Sequence, residues 1–268
     1  MISFEDENCP ANLRNQVNAI AFSLQEFLGN TLDGIYLYGS LACGDFVMQN
    51  SDIDLIAVVN TRLNPFKRLA IAQKMLLWNK TPAPVEISIL AREHLSENPP
   101  LRCQFHFSTQ WEKTYQQLIE KKEAFHWLLK QDFEDADIPA HIYLTRYKSV
   151  TLFGEKPSDA LPKIDDDTFM RSACADFKNF QWKPYNVNDT AYQVLTLCRL
   201  LAFREKGKIM SKSKAAAYAL GRLSLKKQEI VKRAVAYKFN QADVKKFPAA
   251  ALETFKKDIC SKLRGFLS

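Results

Sequence analysis

Apolar residues first recur at helical spacing. Leu13, Val17, Ile20, Leu24, Phe27 and Leu28 share one face and stop at Gly29 and Asn30, which predicts a helix closed by a glycine cap. The pattern then changes. Residues 34–38 form a short apolar run that ends at Gly39 and Ser40. Residues 53–59 form a second run, and residues 85–90 a third, flanked by Pro82, Pro84 and the loop 97–100. Each reads as a strand, and a helical segment beginning near Pro65 separates the second from the third. Alternation of this kind predicts a small sheet with helices packed on it.

From about residue 110 the strand signal fades. Residues 111–130, 138–153, 168–182, 189–206, 212–223, 225–239 and 249–266 read as helices, punctuated by 154–162, 184–188, Gly207 and Pro248. The expected fold class is therefore α+β. A sheet-bearing domain spans residues 1–130, and an all-helical domain follows over 131–268.

Composition sharpens this picture. With 268 residues, 47% of them hydrophobic, the chain can bury one or two ordinary cores. No run approaches the roughly 18 to 20 apolar residues of a spanning helix. Glu5, Asp6 and Glu7 stand where a secretion signal would carry positive charge, so a cytoplasmic protein is expected. The six cysteines form no C-x-x-C pair and are expected to be free thiols. The net charge of +7 conceals a split: residues 199–268 carry a net +13 and residues 1–198 a net −6. A basic C-terminal third suits nucleic acid, a polyphosphate or plain solvated helix faces, and charge alone leaves all three open.

The candidate chemistry lies in the first hundred residues. Gly39 and Ser40 end a strand, where glycine admits close backbone approach and a hydroxyl with exposed N–H groups can hold a phosphate. Asp52 and Asp54, one residue apart at the mouth of the next strand, fall on one face by period-2 alternation. Paired hard oxygen ligands of this kind commonly hold Mg²⁺ beside a nucleotide. Glu86 interrupts an apolar strand and shares a face with Ser88, a costly place for a charge unless it is paired or bound to metal. Taken singly, each has a plainer explanation: a turn, a solvated strand end, a water-facing side chain. Their order and spacing let all three converge at one sheet edge.

These residues resemble the signature of the polymerase-β-type nucleotidyltransferases: Gly-Ser, a loop, Asp-x-Asp, then a carboxylate on a later strand. The likeness narrows with Leu37 to Ser40, Ser51 to Leu55, Val85 to Ile87, and Gln104 and Phe105 with Trp111. Val194 to Arg199 and Gly207 to Ile209 extend it. Together they are similar to the aminoglycoside 3″/9-O-adenylyltransferases of streptomycin and spectinomycin resistance, over about residues 30 to 240. The resemblance implies that Asp52 and Asp54 bind Mg²⁺, two ions being expected, and that Glu86 is the catalytic base. Gly39, Ser40, Arg199 and Lys212 would contact ATP, the last two through its phosphates, while Trp111, Asp189 and Tyr185 would contact the antibiotic. Two departures stand out. The Ser40–Asp52 loop is one residue longer, and after Phe180 or Trp182 a second acidic position is taken by Tyr185.

On this reading ATP and a small cationic antibiotic are the partners, with neither membrane nor nucleic acid, and the chain acts as a monomer. ATP would lie in a cleft between the two domains, meeting acidic loops on one side and basic helices on the other. Asp135, Asp137 and the run 165–167 are candidates for the acidic wall, although solvation is the plainer reading, and the run also suits a helix N-terminus near Thr168. Plainer readings exist for Trp111 as core and for Asp189 as the N-cap of a helix starting at Thr190. The four histidines show no metal-ligand spacing and are assigned no chemistry. The alternatives are a nucleotidyltransferase acting on a lincosamide, another small metabolite or RNA, and a non-enzymatic nucleotide-binding scaffold.

Overall fold

The computed structural model describes residues 1–120, 126–178 and 186–267. Contacts divide the chain into two compact units, Ile2–Ile164 and Asp165–Ser268 with Met1. In the first, strands β1 (Leu32–Tyr38), β2 (Ile53–Val59), β3 (Val85–Ala91), β5 (Phe105–Phe107) and β7 (Val150–Gly154) form a sheet in the order β5-β3-β2-β1-β7. Strands β4 (Arg102–Cys103) and β6 (Phe133–Glu134) pair separately. The helices are α1 (Ala11–Leu28), α2 (Gly39–Cys43), α3 (Pro65–Trp78), α4 (Glu112–Ile119), α5 (Trp127–Lys130), α6 (Ile138–Tyr147) and α7 (Pro157–Ala160).

The two faces of the sheet do different things, because alternate residues point to opposite sides. Ile35, Leu37, Leu55, Ala57, Ile87, Ile89, Phe105 and Phe107 form one core with Leu13, Val17, Ile20 and Leu24 of α1 and Ile71, Ala72 and Met75 of α3. The opposite face carries Tyr36, Tyr38, Asp54, Ile56, Glu86, Ser88 and His106, cross-strand neighbours of one another. Only that face is polar.

The register that makes those neighbours is held from a distance. Gln16 on α1 is buried, and its side-chain amide donates to the carbonyls of Trp78 and Ala83 at 2.7 Å each. Its carbonyl accepts from the Ala83 N–H at 3.0 Å. One side chain thus pins the turn that leads into β3.

The sequence reading sets a boundary at 130/131, and contacts divide the chain after Ile164. One expectation needs correction: residues 138–153, read as one helix, are α6 followed by the edge strand β7. Val150 and Leu152 pack against the sheet core while β7 pairs with β1, joining Leu37 to Val150 and Gly34 to Gly154. That partner lies over a hundred residues earlier, so the short apolar run could not declare its type locally. Gly154 sits at φ +84°, and a Cβ there would meet the Asp33 carbonyl at 2.0 Å.

The second unit is helical: α8 (Asp166–Ala173), α9 (Ala175–Lys178), α10 (Val187–Lys206), α11 (Lys212–Leu220), α12 (Leu225–Asn240), α13 (Ala249–Lys262) and α14 (Arg264–Leu267). Its centre is α10, on which α11 and α12 pack. Asp165 caps α8, accepting from the Thr168 N–H at 2.8 Å, with Asp166 and Asp167 in the first turn as the dipole favours. None of the helices among the described residues is long and apolar enough to cross a membrane.

Replacing Gln16 with Ala removes three hydrogen bonds and leaves the buried Ala83 N–H without its partner, while the Trp78 and Ala83 carbonyls keep bonds from Thr81 and Lys80. Urea unfolding of Gln16→Ala is expected to show a loss of about 1–3 kcal/mol; a loss below about 0.5 kcal/mol would mean that the turn holds itself.

Candidate active site

The polar face is built by register. Parallel pairing of β2 with β3 places Asp54 beside Glu86, and antiparallel pairing of β1 with β2 places Tyr38 on the other side of Asp54. Asp52 stands two residues before Asp54, at the entrance to the same strand, and both are half-buried. Like charges so arranged disfavour one another. Burial, and then the charges of Asp54, Asp52, Asp137 and Asp135, push the Glu86 carboxyl well above the ordinary carboxylate range. The buried Tyr38 hydroxyl is driven upward by burial first and then by Glu86, Asp54, Asp135 and Asp137.

Gly39 shows how tightly backbone approaches this row. It sits at φ +70°, and a Cβ there would lie 1.8 Å from Asp54 Oδ2. Only glycine lets β1 turn into α2 against that carboxylate. Ser40 follows in α2, and its carbonyl accepts the Asp45 N–H at 2.9 Å as the loop toward Asp52 begins. A row of carboxylates beside a backbone with no side chain in the way fits a divalent cation: hard oxygen donors converge, and their mutual repulsion is what such an ion relieves.

Sequence reasoning missed part of the site. Asp135 and Asp137, candidates for an acidic wall with solvation the plainer reading, act electrostatically on both Glu86 and Tyr38. The Asp137 N–H bonds Asp135 Oδ1 at 2.9 Å, and α6 begins at the next residue. His141 on α6, assigned no chemistry, lies with its ring centroid 5.5 Å from that of Tyr38. His106 meets Ser88 through Nδ1 and Oγ at 3.0 Å, and burial lowers its proton affinity against the opposing pull of Asp135. No local spacing signals these groups, since they join the site from β5, from the segment before α6 and from α6 itself.

The remaining expected residues are placed as follows. Trp111 packs on the edge of the sheet core and lies edge-on to Trp127, centroids 6.4 Å apart. Arg199 and Lys212 belong to the second unit, on α10 and at the start of α11, with the Lys212 ammonium 4.1 Å from the Tyr192 ring centroid. Asp189 is in the first turn of α10, but Asn186 is the N-cap, accepting the Asp189 N–H at 2.8 Å and donating to Asp189 Oδ2 at 2.9 Å. The helix thus starts three residues earlier than Thr190, because an Asn preceding it supplies the cap. Phe180, Trp182 and Tyr185 lie outside the described residues.

A second cluster, Glu93, His94 and Asp132, brings three ligand-type atoms within 4.8 Å of one another. The Arg68 guanidinium is already on Asp132, so this is an ion-pair network.

Residues 159–262 match the C-terminal domain of the aminoglycoside adenylyltransferases, and residues 20–115 match the nucleotidyltransferase domain. An aminoglycoside (3'') (9) adenylyltransferase of Klebsiella pneumoniae is 25% identical over 252 residues, covering 91% of this chain and 92% of that one. A spectinomycin 9-adenylyltransferase of Enterococcus faecalis is 24% identical over 209 residues, 75% and 77% of the two chains. The crystal structure of an Enterococcus spectinomycin adenyltransferase with ATP and spectinomycin superposes with a TM-score of 0.76 at 20% identity, covering 94% of this chain and 99% of that one. At that identity the likeness carries the fold.

The raised Glu86 carboxyl gives a pH dependence of stability. Below the unfolded-state value both states hold the proton and Glu86 contributes nothing. Between that value and the raised folded one, the unfolded state releases the proton while burial and neighbouring charges make the folded state keep it. Metal-free protein is therefore expected to lose stability as pH rises from the unfolded value through the elevated folded one. In Glu86→Gln that part of the slope should vanish, as read from Tm against pH; an unchanged slope would assign it to other groups.

Proposed function

The chain belongs to the aminoglycoside adenylyltransferase family of nucleotidyltransferases, and from that premise we propose that it transfers AMP from ATP to a hydroxyl of an aminocyclitol antibiotic, spectinomycin in preference to streptomycin. The observation that carries this reading is the row Asp54–Glu86 on adjacent strands, with Asp52 before it and Gly39 against it. Asp52 and Asp54 would hold Mg²⁺, expected as two ions. When bound, the metal neutralises charge on the triphosphate and the departing pyrophosphate.

The chain's own residues do the rest. Glu86 takes the proton of the attacking hydroxyl, and its raised proton affinity favours holding that proton. The hydroxyl oxygen forms a bond to the α-phosphorus, the bond from that phosphorus to the bridging oxygen of the β-phosphate breaks, and pyrophosphate leaves. Gly39 admits the nucleotide close to the backbone and Ser40 offers its hydroxyl to a phosphate. Arg199 and Lys212 bind the β- and γ-phosphates, a use for cations in the strongly basic C-terminal third.

Trp111 would give the acceptor a stacking surface and Asp189 a carboxylate. The preference for spectinomycin rests on Tyr185, which carries no counter-charge at neutral pH. Streptomycin brings two guanidinium groups and spectinomycin only methylamines, so one carboxylate serves the second drug better.

Pyrophosphate release from ATP and Mg²⁺, run over aminoglycosides, spectinomycin and lincosamides, tests the whole reading. Asp52→Asn and Asp54→Asn should abolish release while keeping the thermal midpoint, and full activity in both would sink the mechanism. Glu86→Gln should lower kcat by about 10²–10⁴-fold with ATP affinity little changed. A collapse of ATP binding would make Glu86 chiefly a metal ligand. Spectinomycin should exceed streptomycin by at least about tenfold in kcat/KM, roughly 1.4 kcal/mol of transition-state binding; equal turnover would mean that another acid replaces the one lost at Tyr185.

A further inference from the structure

Asp135 and Asp137 come to the site from a segment with little regular structure of its own, and something must hold it there. The buried cluster set apart above lies at its base. Arg68 on α3 is 3% exposed, an unusual position for a guanidinium. Its Nε donates to the Leu63 carbonyl at 3.2 Å and its Nη1 to the Gln131 carbonyl at 2.6 Å, while Nη2 pairs with Asp132 Oδ1. The other carboxylate oxygen meets His94 Nε2 at 2.8 Å, and His94 Nδ1 meets Glu97 Oε1 at 3.0 Å. Burial pushes the Asp132 carboxyl upward, but the hydrogen bonds from His94 and Arg68 outweigh it and hold the group below its ordinary range. The carboxylate is thus ionised and tied on both oxygens.

From that anchor the chain has a short, fully determined path to the site. Phe133 and Glu134 pair with Cys103 and Arg102, the Asp135 N–H donates to the Leu101 carbonyl at 2.8 Å, and Asp137 and Ile138 bond back to Asp135. Only Phe133 and Glu134 separate the tied Asp132 from Asp135, too few residues to absorb a shift at the anchor.

We propose that the Arg68–Asp132–His94 network is a positioning device for the transfer site, holding Asp135 and Asp137 beside Glu86 so that their charge receives the cationic acceptor. This rests on the function proposed above for its consequence, though not for its geometry. Arg68, Asp132 and His94 touch no substrate and act through the segment they fix. A buried ion pair is weak evidence for stability, because well-packed apolar residues often do as well. An ion pair and a histidine buried together here have a use if the segment must sit in one place.

Asp132→Ala, Asp132→Asn and His94→Ala separate placement from stability. Asn keeps an acceptor for Arg68 and an amide for His94, so it should behave nearly as wild type. In Asp132→Ala, hydrogen exchange at the Asp137 and Ile138 amides should rise at least tenfold while amides of β2 and β3 stay protected. His94→Ala, which cuts one of two ties, should show about a threefold rise. With spectinomycin as acceptor, Asp132→Ala should raise KM at least tenfold and kcat far less. Asp135→Asn with Asp137→Asn should raise KM equally, and adding Asp132→Ala to that pair should change nothing further.

Unchanged exchange, additive losses, or a wild-type KM in the Asp135/Asp137 double variant would each overturn the proposal. The double variant leaves the buried network intact and decides the matter even if Asp132→Ala does not fold. Exchange needs no acceptor, so a wild-type protein that turns over no antibiotic would refute the proposed reaction while the exchange result still judged the positioning.

Discussion

Carboxylates held side by side on neighbouring strands repel each other, and the rest of the first unit is arranged around tolerating that repulsion. Asp54 and Glu86 are cross-strand partners in a parallel pair, and Asp52 stands two residues before Asp54. In water such a row would relax by moving apart. Here each strand is anchored through its other face, where Leu55, Ala57, Ile87 and Ile89 are buried against α1 and α3. Burying a side chain of that size stabilises by about 1.5–3 kcal/mol, and the several per strand outweigh the repulsion between charges on a half-solvated face. Burial first, and this repulsion after it, therefore displace the protonation of Glu86 and Tyr38 upward and leave the fold intact.

The same division of labour explains why the supporting contacts are remote from the chemistry. Gln16 fixes the turn into β3 from α1, and Gly39 removes a side chain where one would strike Asp54. Arg68 ties down the segment that carries two more carboxylates. Gln16 and Arg68 remove freedom from the segments that carry the carboxylates, and Gly39 keeps backbone close to them, so the row gains geometric definition without adding charge to an already crowded face.

The second unit follows a different logic. It is strongly basic and helical, and its central helix α10 carries Arg199 on a half-buried position while Asn186 caps its start. Lys212 stands at the first turn of α11, stacked over Tyr192. An acidic unit that concentrates carboxylates on one sheet face, joined to a unit rich in cations, suits a reaction that handles metal ions and a polyphosphate together.

The chain's own order of residues determined the strands 53–59 and 85–90 almost to the residue, together with the helices around them and the single sheet face shared by Asp54 and Glu86, with Asp52 at its entrance. Those features are local: alternation, caps, turn residues and a motif whose members lie close together. It did not determine that residues 150–154 form a strand, because their partner β1 is distant in sequence. Nor did it show that Asp135, Asp137, His106 and His141 belong to the site. A carboxylate in a polar stretch reads as solvated until the strand order and the buried Arg68–Asp132 pair carry it to Glu86. Local periodicity records which face a residue takes within its own element. Which elements then lie side by side is settled by long-range hydrogen bonds and core packing, and only the tertiary structure decided that.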